Sequence, residues 1–332
     1  MEWLPLFFAA AMGFALFMYI ILDGYDLGIG MLIPFANDEE KDLMISTIGP
    51  FWDANETWIV LGVGIMLMAF PFAHSMVLTS LYLPVAIMLL GLILRGVSFD
   101  FRVKAKTDHK TLWNNLFSIG SLMASMAQGW MLGNYVMGLT DSNLSMFFTL
   151  AISVMLPVLY IMMGCGWLLY KTEGEVYWKA VRWARIAVLP LGLGLLLISI
   201  ATPLVSETIA AKWFRLPEAI GLMPIPLASM IAYGAIIGVL SSKSMLNNDK
   251  GWIVYVALIA ICIMCGIGLG YSLYPDIVID KLTIWEAASS KDAMQFAFYG
   301  TVIAVPCIFA YTIFIYRVFR GKTTELSYES DR

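Results

Sequence analysis

Five ionisable side chains interrupt apolar runs in the first hundred residues: Asp23, Asp26, Asp53, Glu56 and Arg95. They lie in three polar stretches. These are Leu22-Asp23-Gly24-Tyr25-Asp26-Leu27-Gly28-Ile29-Gly30, Pro50-Phe51-Trp52-Asp53-Ala54-Asn55-Glu56-Thr57-Trp58 and Leu94-Arg95-Gly96-Val97-Ser98-Phe99-Asp100-Phe101-Arg102. Asp23 and Asp26 are three apart, as are Asp53 and Glu56, so on helices each pair projects from one side. An ionisable group at membrane depth costs about 2.5–3.5 kcal/mol on insertion scales and survives by facing the bundle interior, a partner charge or water. Arg95, about two turns inside Arg102, is the natural partner for an acid on a neighbouring helix, and with Asp100 it is read as a structural ion pair. Carboxylates held this way can do two things. They can fix how helices pack, or they can bind and pass protons, and spacing alone leaves both readings open. Asp53 leads the relay reading, because the macrodipole at a helix start favours its charge and Asn55 and Glu56 add polar neighbours.

The elements that must position these groups are membrane-spanning helices. The chain has 332 residues, 60% hydrophobic and 13% charged, against roughly a quarter charged in soluble proteins. About nine runs approach the roughly 20 apolar residues that a span needs. They are Leu4–Leu22, Thr57–Ala73, Met76–Phe99, Phe117–Gly138, Met146–Tyr170, Val181–Thr202, Leu222–Leu240, Trp252–Tyr271 and Met294–Tyr316. The runs do not alternate, which excludes a transmembrane barrel. The expected fold is an all-α polytopic bundle forming a single integral membrane domain over residues 1–332. The second run is the shortest and should start near Pro50, since proline suits a first helical turn. Pro84, Pro157, Pro190 and Pro306 fall within spans, where neighbouring helices can satisfy freed backbone groups. Gly24 and Gly28 form a small-x-x-x-small pair that invites close helix approach.

Lys and Arg gather in the connections after the first, third, fifth and seventh spans and in the C-terminal tail. By the positive-inside rule the N-terminus lies outside and the tail in the cytoplasm, with all three acidic stretches at the cytoplasmic side. The N-terminus has no basic n-region and no small-residue cleavage site, so it reads as a retained span. Tyr274, Trp285, Trp213 and Phe214 on the other side suit an aromatic belt.

Other candidate ligands are sparse. The only histidines are His74 and His109, and neither is mid-span with a partner on a facing helix. The 22 methionines read as packing material, as do Cys165, Cys262, Cys265 and Cys307, although Cys262 and Cys265 have redox spacing. No metal or haem site is expected in the chain. Gln128 and Asn134 are polar groups at membrane depth, suited to an interhelical hydrogen bond or a quinone headgroup contact.

The three polar stretches resemble subunit II of the cytochrome bd family, including its cyanide-insensitive branch. Gly270-Tyr271-Ser272-Leu273-Tyr274-Pro275 and Leu282-Thr283-Ile284-Trp285-Glu286-Ala287-Ala288-Ser289-Ser290 agree with it, and the likeness runs end to end. The outer loop Pro275-Asp276-Ile277-Val278-Ile279-Asp280 departs from it in being more acidic than the family's proline-containing form. The resemblance implies two four-helix bundles plus a peripheral helix, paired with a haem-bearing subunit I in the bacterial cytoplasmic membrane. It implies a complex that oxidises quinol and reduces oxygen to water, building a proton gradient without pumping. It places the haems (b and d, or b alone) in subunit I. It allows a structural quinone here, or an oxygen channel, and a small single-span accessory subunit. By motif match it places Asp53 on a cytoplasmic proton-uptake path with Asp23, Asp26 and Arg95 as neighbours, and Glu56 is read as part of the same path. No nucleic-acid partner is expected.

Two other classes compete. A secondary transporter would use the carboxylates for substrate or ion binding, but such groups usually sit near the midplane on broken helices in two related halves. Here they cluster at one face, in the first three spans. A purely structural scaffold would carry no protons and differs only in the behaviour of Asp53.

Overall fold

The computed structural model describes residues 3–104 and 107–323. Helix α1 (Trp3–Leu32) runs through the middle of the molecule, and from Ile21 to Leu32 every residue on it is buried. After a short turn comes α2 (Asp38–Ile48), whose start is fixed by a capping box: Asn37 accepts from the Glu40 backbone, and the Glu40 side chain accepts from the Asn37 N–H. Next are α3 (Trp52–Ala69), α4 (Pro71–Ser80) and α5 (Tyr82–Lys104). Helix α3 starts two residues after Pro50. Its buried stripe is Asn55, Trp58, Gly62, Ile65 and Ala69, a helical period that turns one face inward.

Helices α6 (Thr107–Val136), α7 (Asn143–Lys171) and α8 (Gly174–Val205) follow. The short α9 (Glu207–Phe214) and α10 (Glu218–Leu222) lead to α11 (Pro224–Ser241), α12 (Lys243–Asn247) and α13 (Trp252–Leu273). A two-stranded antiparallel ribbon, β1 (Asp276–Val278) and β2 (Leu282–Thr283), then pairs Asp276 with Thr283 and Val278 with Leu282. It leads into α14 (Ile284–Ala287) and the long α15 (Lys291–Val318). The proline-containing helices α7, α8 and α15 stay continuous. Helix α1 packs on α3, α6 and α7, with α5 held against α6. Helix α7 carries the second group, touching α8 and α13, with α11 against α13. Helix α15 lies against α3 and α1.

Seven of these helices are long and apolar enough to cross a membrane. The two remaining expected runs fall on α3 and α6. Helix α3 is only 18 residues long and opens with Asp53, Asn55 and Glu56, while α6 carries Gln128, Asn134 and several serines. The surface is that of a protein made for lipid: Leu90, Ile186, Leu189, Leu196, Ile303 and Phe296 point outward, while Asp23, Asp26 and Arg95 are buried.

Glycines set the closest helix contact. A Cβ on Gly28 would lie 1.8 Å from the Tyr160 carbonyl oxygen, and one on Gly164 would lie 2.8 Å from the Gly28 carbonyl carbon. The small residues of α1 therefore serve the crossing with α7. The ribbon and α14 sit at the end remote from the acids, where the Ser289 N–H bonds the carbonyl of Ala69 at the far end of α3. There Trp213 donates its indole N–H to Ser272 at 2.8 Å, and Tyr274 meets Trp285 edge-on at 6.2 Å.

Candidate functional site

The acids of α1 and α3 meet the guanidinium of α5 inside the protein. Arg95 donates from Nη1 to Asp23 Oδ1 at 2.6 Å and from Nη2 to Glu56 Oε2 at 3.3 Å. Its side chain and that of Asp23 are 1% and 0% exposed, while Glu56 retains 23%. One cation thus holds two carboxylates from two helices. Neither ion could be left alone at such depth, because an unpaired buried charge costs several kcal/mol.

Asp26 lies one turn further along α1, fully buried, and its partner is neutral. Asn55 Nδ2 donates to Asp26 Oδ2 at 2.8 Å. The same amide reaches Tyr25 Oη at 2.9 Å, and its carbonyl accepts from Tyr316 Oη at 3.1 Å. The two phenols are 2.6 Å apart. Asn55, Tyr25 and Tyr316 therefore close a ring that joins α3, α1 and α15, each group donating once and accepting once. Tyr25 stacks on Trp167 at 4.1 Å between ring centres, which fixes the phenol.

A second string leads into the core. Gln128 on α6 donates to Tyr19 Oη at 2.7 Å and accepts from Tyr160 Oη at 2.7 Å. It thereby ties α6 to α1 and α7, the interhelical bond that its position suggested. Because Tyr19 accepts from Gln128, its own proton is free to point along α1 toward Asp23, one turn on. Asn134 is only half-buried.

Two expected site residues stand elsewhere. Asp53 is exposed: it lies two residues from Asn55, about 200° round the helix, so once Asn55 and Trp58 face inward Asp53 faces out. It borders the cluster on the Glu56 side. Asp100 does not pair with Arg95. Five residues along α5 place it about 140° round the helix, where it is exposed and makes no ion pair among the described residues. The missing partners of Arg95 came from other helices. Asn55 and Tyr25 lay inside the quoted motifs, whereas Tyr316, 291 residues from Tyr25, had no local signal.

Beside the acidic end, α2 braces both helix groups. Asp42 bonds Arg102 of α5 at 2.6 Å and Lys110 of α6 at 3.5 Å, and Glu40 pairs with Lys179 of α8. Burial pushes the Glu40 carboxyl up, but the Lys179 ammonium and the Asn37 N–H outweigh it and hold the group below the usual carboxylate range. The C-terminal segment is pinned by Lys171, which donates to the carbonyls of Phe319 and Gly321 and lies 5.2 Å from the Phe51 ring centre.

A haem held by two axial histidines would need them on facing helices. His74 on α4 and His109 on α6 lie near opposite ends of α5, whose 23 residues span about 35 Å. They cannot share one haem, so the two histidines do not form a bis-histidine haem site. Among the described residues no cluster of three or more His, Cys, Asp or Glu could hold a metal ion. Cys165 and Cys262 are buried, and Cys265 and Cys307 are exposed, all as free thiols.

Comparison with known proteins gives a consistent likeness. The family profile described as cytochrome bd terminal oxidase subunit II matches residues 4–319. The chain is 25% identical to the cytochrome bd-I ubiquinol oxidase subunit 2 of Escherichia coli (strain K12), over 94% of this chain and 93% of that one. It is 26% identical to the cytochrome bd ubiquinol oxidase subunit 2 of Bacillus subtilis (strain 168), over 92% and 93%. In fold it resembles a chain of the bd oxidase from Geobacillus thermodenitrificans with a TM-score of 0.72, at 16% identity, covering 95% of this chain and 98% of that one.

Proposed function

The chain belongs to the cytochrome bd terminal oxidase subunit II family, and from that premise we propose that it is the haem-free subunit of a quinol oxidase and lines a cytoplasmic proton-uptake path. In this reading a subunit I partner carries the haems, oxidises quinol and reduces oxygen to water. This subunit stabilises the partner and supplies protons from the cytoplasm, so a gradient builds without pumping. The complex sits in the bacterial cytoplasmic membrane, with the N-terminus of this chain outside and its tail inside. A structural quinone and a small single-span accessory subunit belong to the same reading.

One observation carries it: Asp23, Asp26 and Glu56 are gathered at one end of the bundle around a single buried guanidinium, with Asp53 exposed beside them. The four acids form a graded series from an exposed carboxylate, through half-buried Glu56, to two fully buried ones. That is the depth profile a proton needs when it leaves water for a low-dielectric interior. A transporter site would be expected at mid-depth on broken helices, and α1, α3 and α5 are unbroken.

The test of the class is purification through a tag on this chain with optical spectroscopy of the product. Haem bands that travel with the chain, and that vanish when the partner is absent, support the reading. A haem-free chain purified alone from cells growing on oxygen through this oxidase would overturn it.

A further inference from the structure

The pocket holds three carboxyl groups but one cation. Arg95 is committed to Asp23 and Glu56 through its two terminal nitrogens. Asp26, equally deep, is left with the neutral Asn55 amide on Oδ2, and its other oxygen, Oδ1, has no hydrogen-bond partner. From this geometry we propose that Asp26 is the proton-holding carboxyl of the pocket, neutral in the resting protein. It rests on the proposed function only for its use in oxidase turnover, and its physical content stands apart from that.

The groups facing Asp26 from each packed element make the case. On α1 they are Asp23, ion-paired, and Tyr25, a neutral phenol. On α3 they are Asn55 and Glu56, the latter held by Arg95, and on α5 Arg95 itself, both arms engaged. On α15 there is Tyr316, closing the phenol ring, and on α13 Tyr255, 6.0 Å from the Tyr25 ring. Helix α7 presents the uncharged Trp167. None offers a second positive charge. Ionised, Asp26 would be a buried anion without a counter-ion, which costs several kcal/mol even after relaxation. Neutral, it leaves one polar oxygen unsatisfied, a far smaller cost.

This gives the three carboxyls different work. Asp23 and Glu56 cannot pick up a proton without loosening the guanidinium clamp. Asp26 can release and regain one with every ion pair intact. Asn55 is then a positioning residue: the ring through Tyr25 and Tyr316 fixes its amide so that the N–H, rather than the carbonyl, faces the acid. Tyr316 acts through Asn55 in the same way.

The test is solid-state carbon NMR of the whole oxidase at neutral pH with aspartate carboxyls labelled, since neutral and ionised carboxyls have distinct shifts. A neutral-aspartate signal is expected, lost in Asp26→Asn and retained in Asp53→Asn. If Asp26→Asn fails to assemble, Asp26→Glu serves equally, because it also removes the labelled aspartate while keeping a carboxyl. Tyr316→Phe should keep the signal but shift it, because the ring that orients Asn55 is opened. Absence of any neutral-aspartate signal, or its survival in both Asp26 variants, would overturn the proposal. Failure here leaves the proton-path reading untouched, since that is decided by turnover.

Discussion

The Arg95 guanidinium donates to Asp23 at 2.6 Å across 72 residues of sequence, with both side chains shut away from solvent. The pair locks α5 to α1, and the second arm on Glu56 adds α3. Cutting it leaves two acids facing each other without a counter-charge.

Arg95→Leu should therefore fail at assembly, not at chemistry. Removing one partner of such a pair typically costs about 3–5 kcal/mol, a large part of the stability of most folds. The expected outcome is a severe loss of purified complex from membranes. Normal yields of haem-loaded oxidase from this variant would contradict the role given to the clamp.

Asp53→Asn should behave oppositely. Asp53 is exposed and bonds no buried group, so the complex should assemble and load haem normally. As the outermost acid of the proposed path, it should lower quinol oxidase turnover by about tenfold, or about 1.4 kcal/mol in the barrier. Unchanged turnover in a fully loaded complex would remove Asp53 from the path.

Gly28→Ala tests the crossing of α1 and α7. Its Cβ would fall 1.8 Å from the Tyr160 carbonyl oxygen, whereas a Cβ on Gly13 of the same helix meets nothing within 4 Å. Overpacking of this kind costs about 1–3 kcal/mol. The thermal midpoint of the solubilised complex should drop for Gly28→Ala and hold for Gly13→Ala. Equal midpoints would mean that the helices separate without strain.

Glu40 should give the brace formed by α2 a measurable pH dependence. Its carboxyl is held below the ordinary range because Lys179 and the Asn37 N–H outweigh the opposing push of burial. The resulting stabilisation is complete above the unfolded-chain value, about 4.3, and fades as the pH falls through the lower folded value. Glu40→Gln should lower the thermal midpoint near neutrality, and its gap from the parent should narrow as the pH falls from the unfolded-chain value through the lower folded one. A gap that does not narrow as the pH falls would mean that the Glu40 charge contributes nothing to the brace.

Much of this was legible in residue order, for identifiable reasons. An acid every third residue in an apolar helix must find a common partner, so Asp23, Glu56 and Arg95 could be brought together without coordinates. Asp53 and Asp100 were harder. Periodicity says which residues share a face but not which face turns inward, and that choice was made by Asn55 and Trp58 on α3 and by Arg95 on α5. Tyr316 was out of reach altogether, because a hydroxyl near the end of an apolar helix carries no mark of the distant amide it meets. The β1–β2 ribbon was missed for its size: five residues leave no period to read.

The ring of Asn55, Tyr25 and Tyr316 also has a chronology. Tyr25 and Tyr316 are 291 residues apart, so during synthesis the helix bearing Asp26 is in the bilayer long before its last neighbour emerges from the ribosome. Helix α15 closes the ring from its own side, where the Tyr316 phenol donates to the Asn55 carbonyl and meets the Tyr25 phenol. Helix α15 thus works as a stopper: a side chain far along the chain completes the shell around an acid near its start.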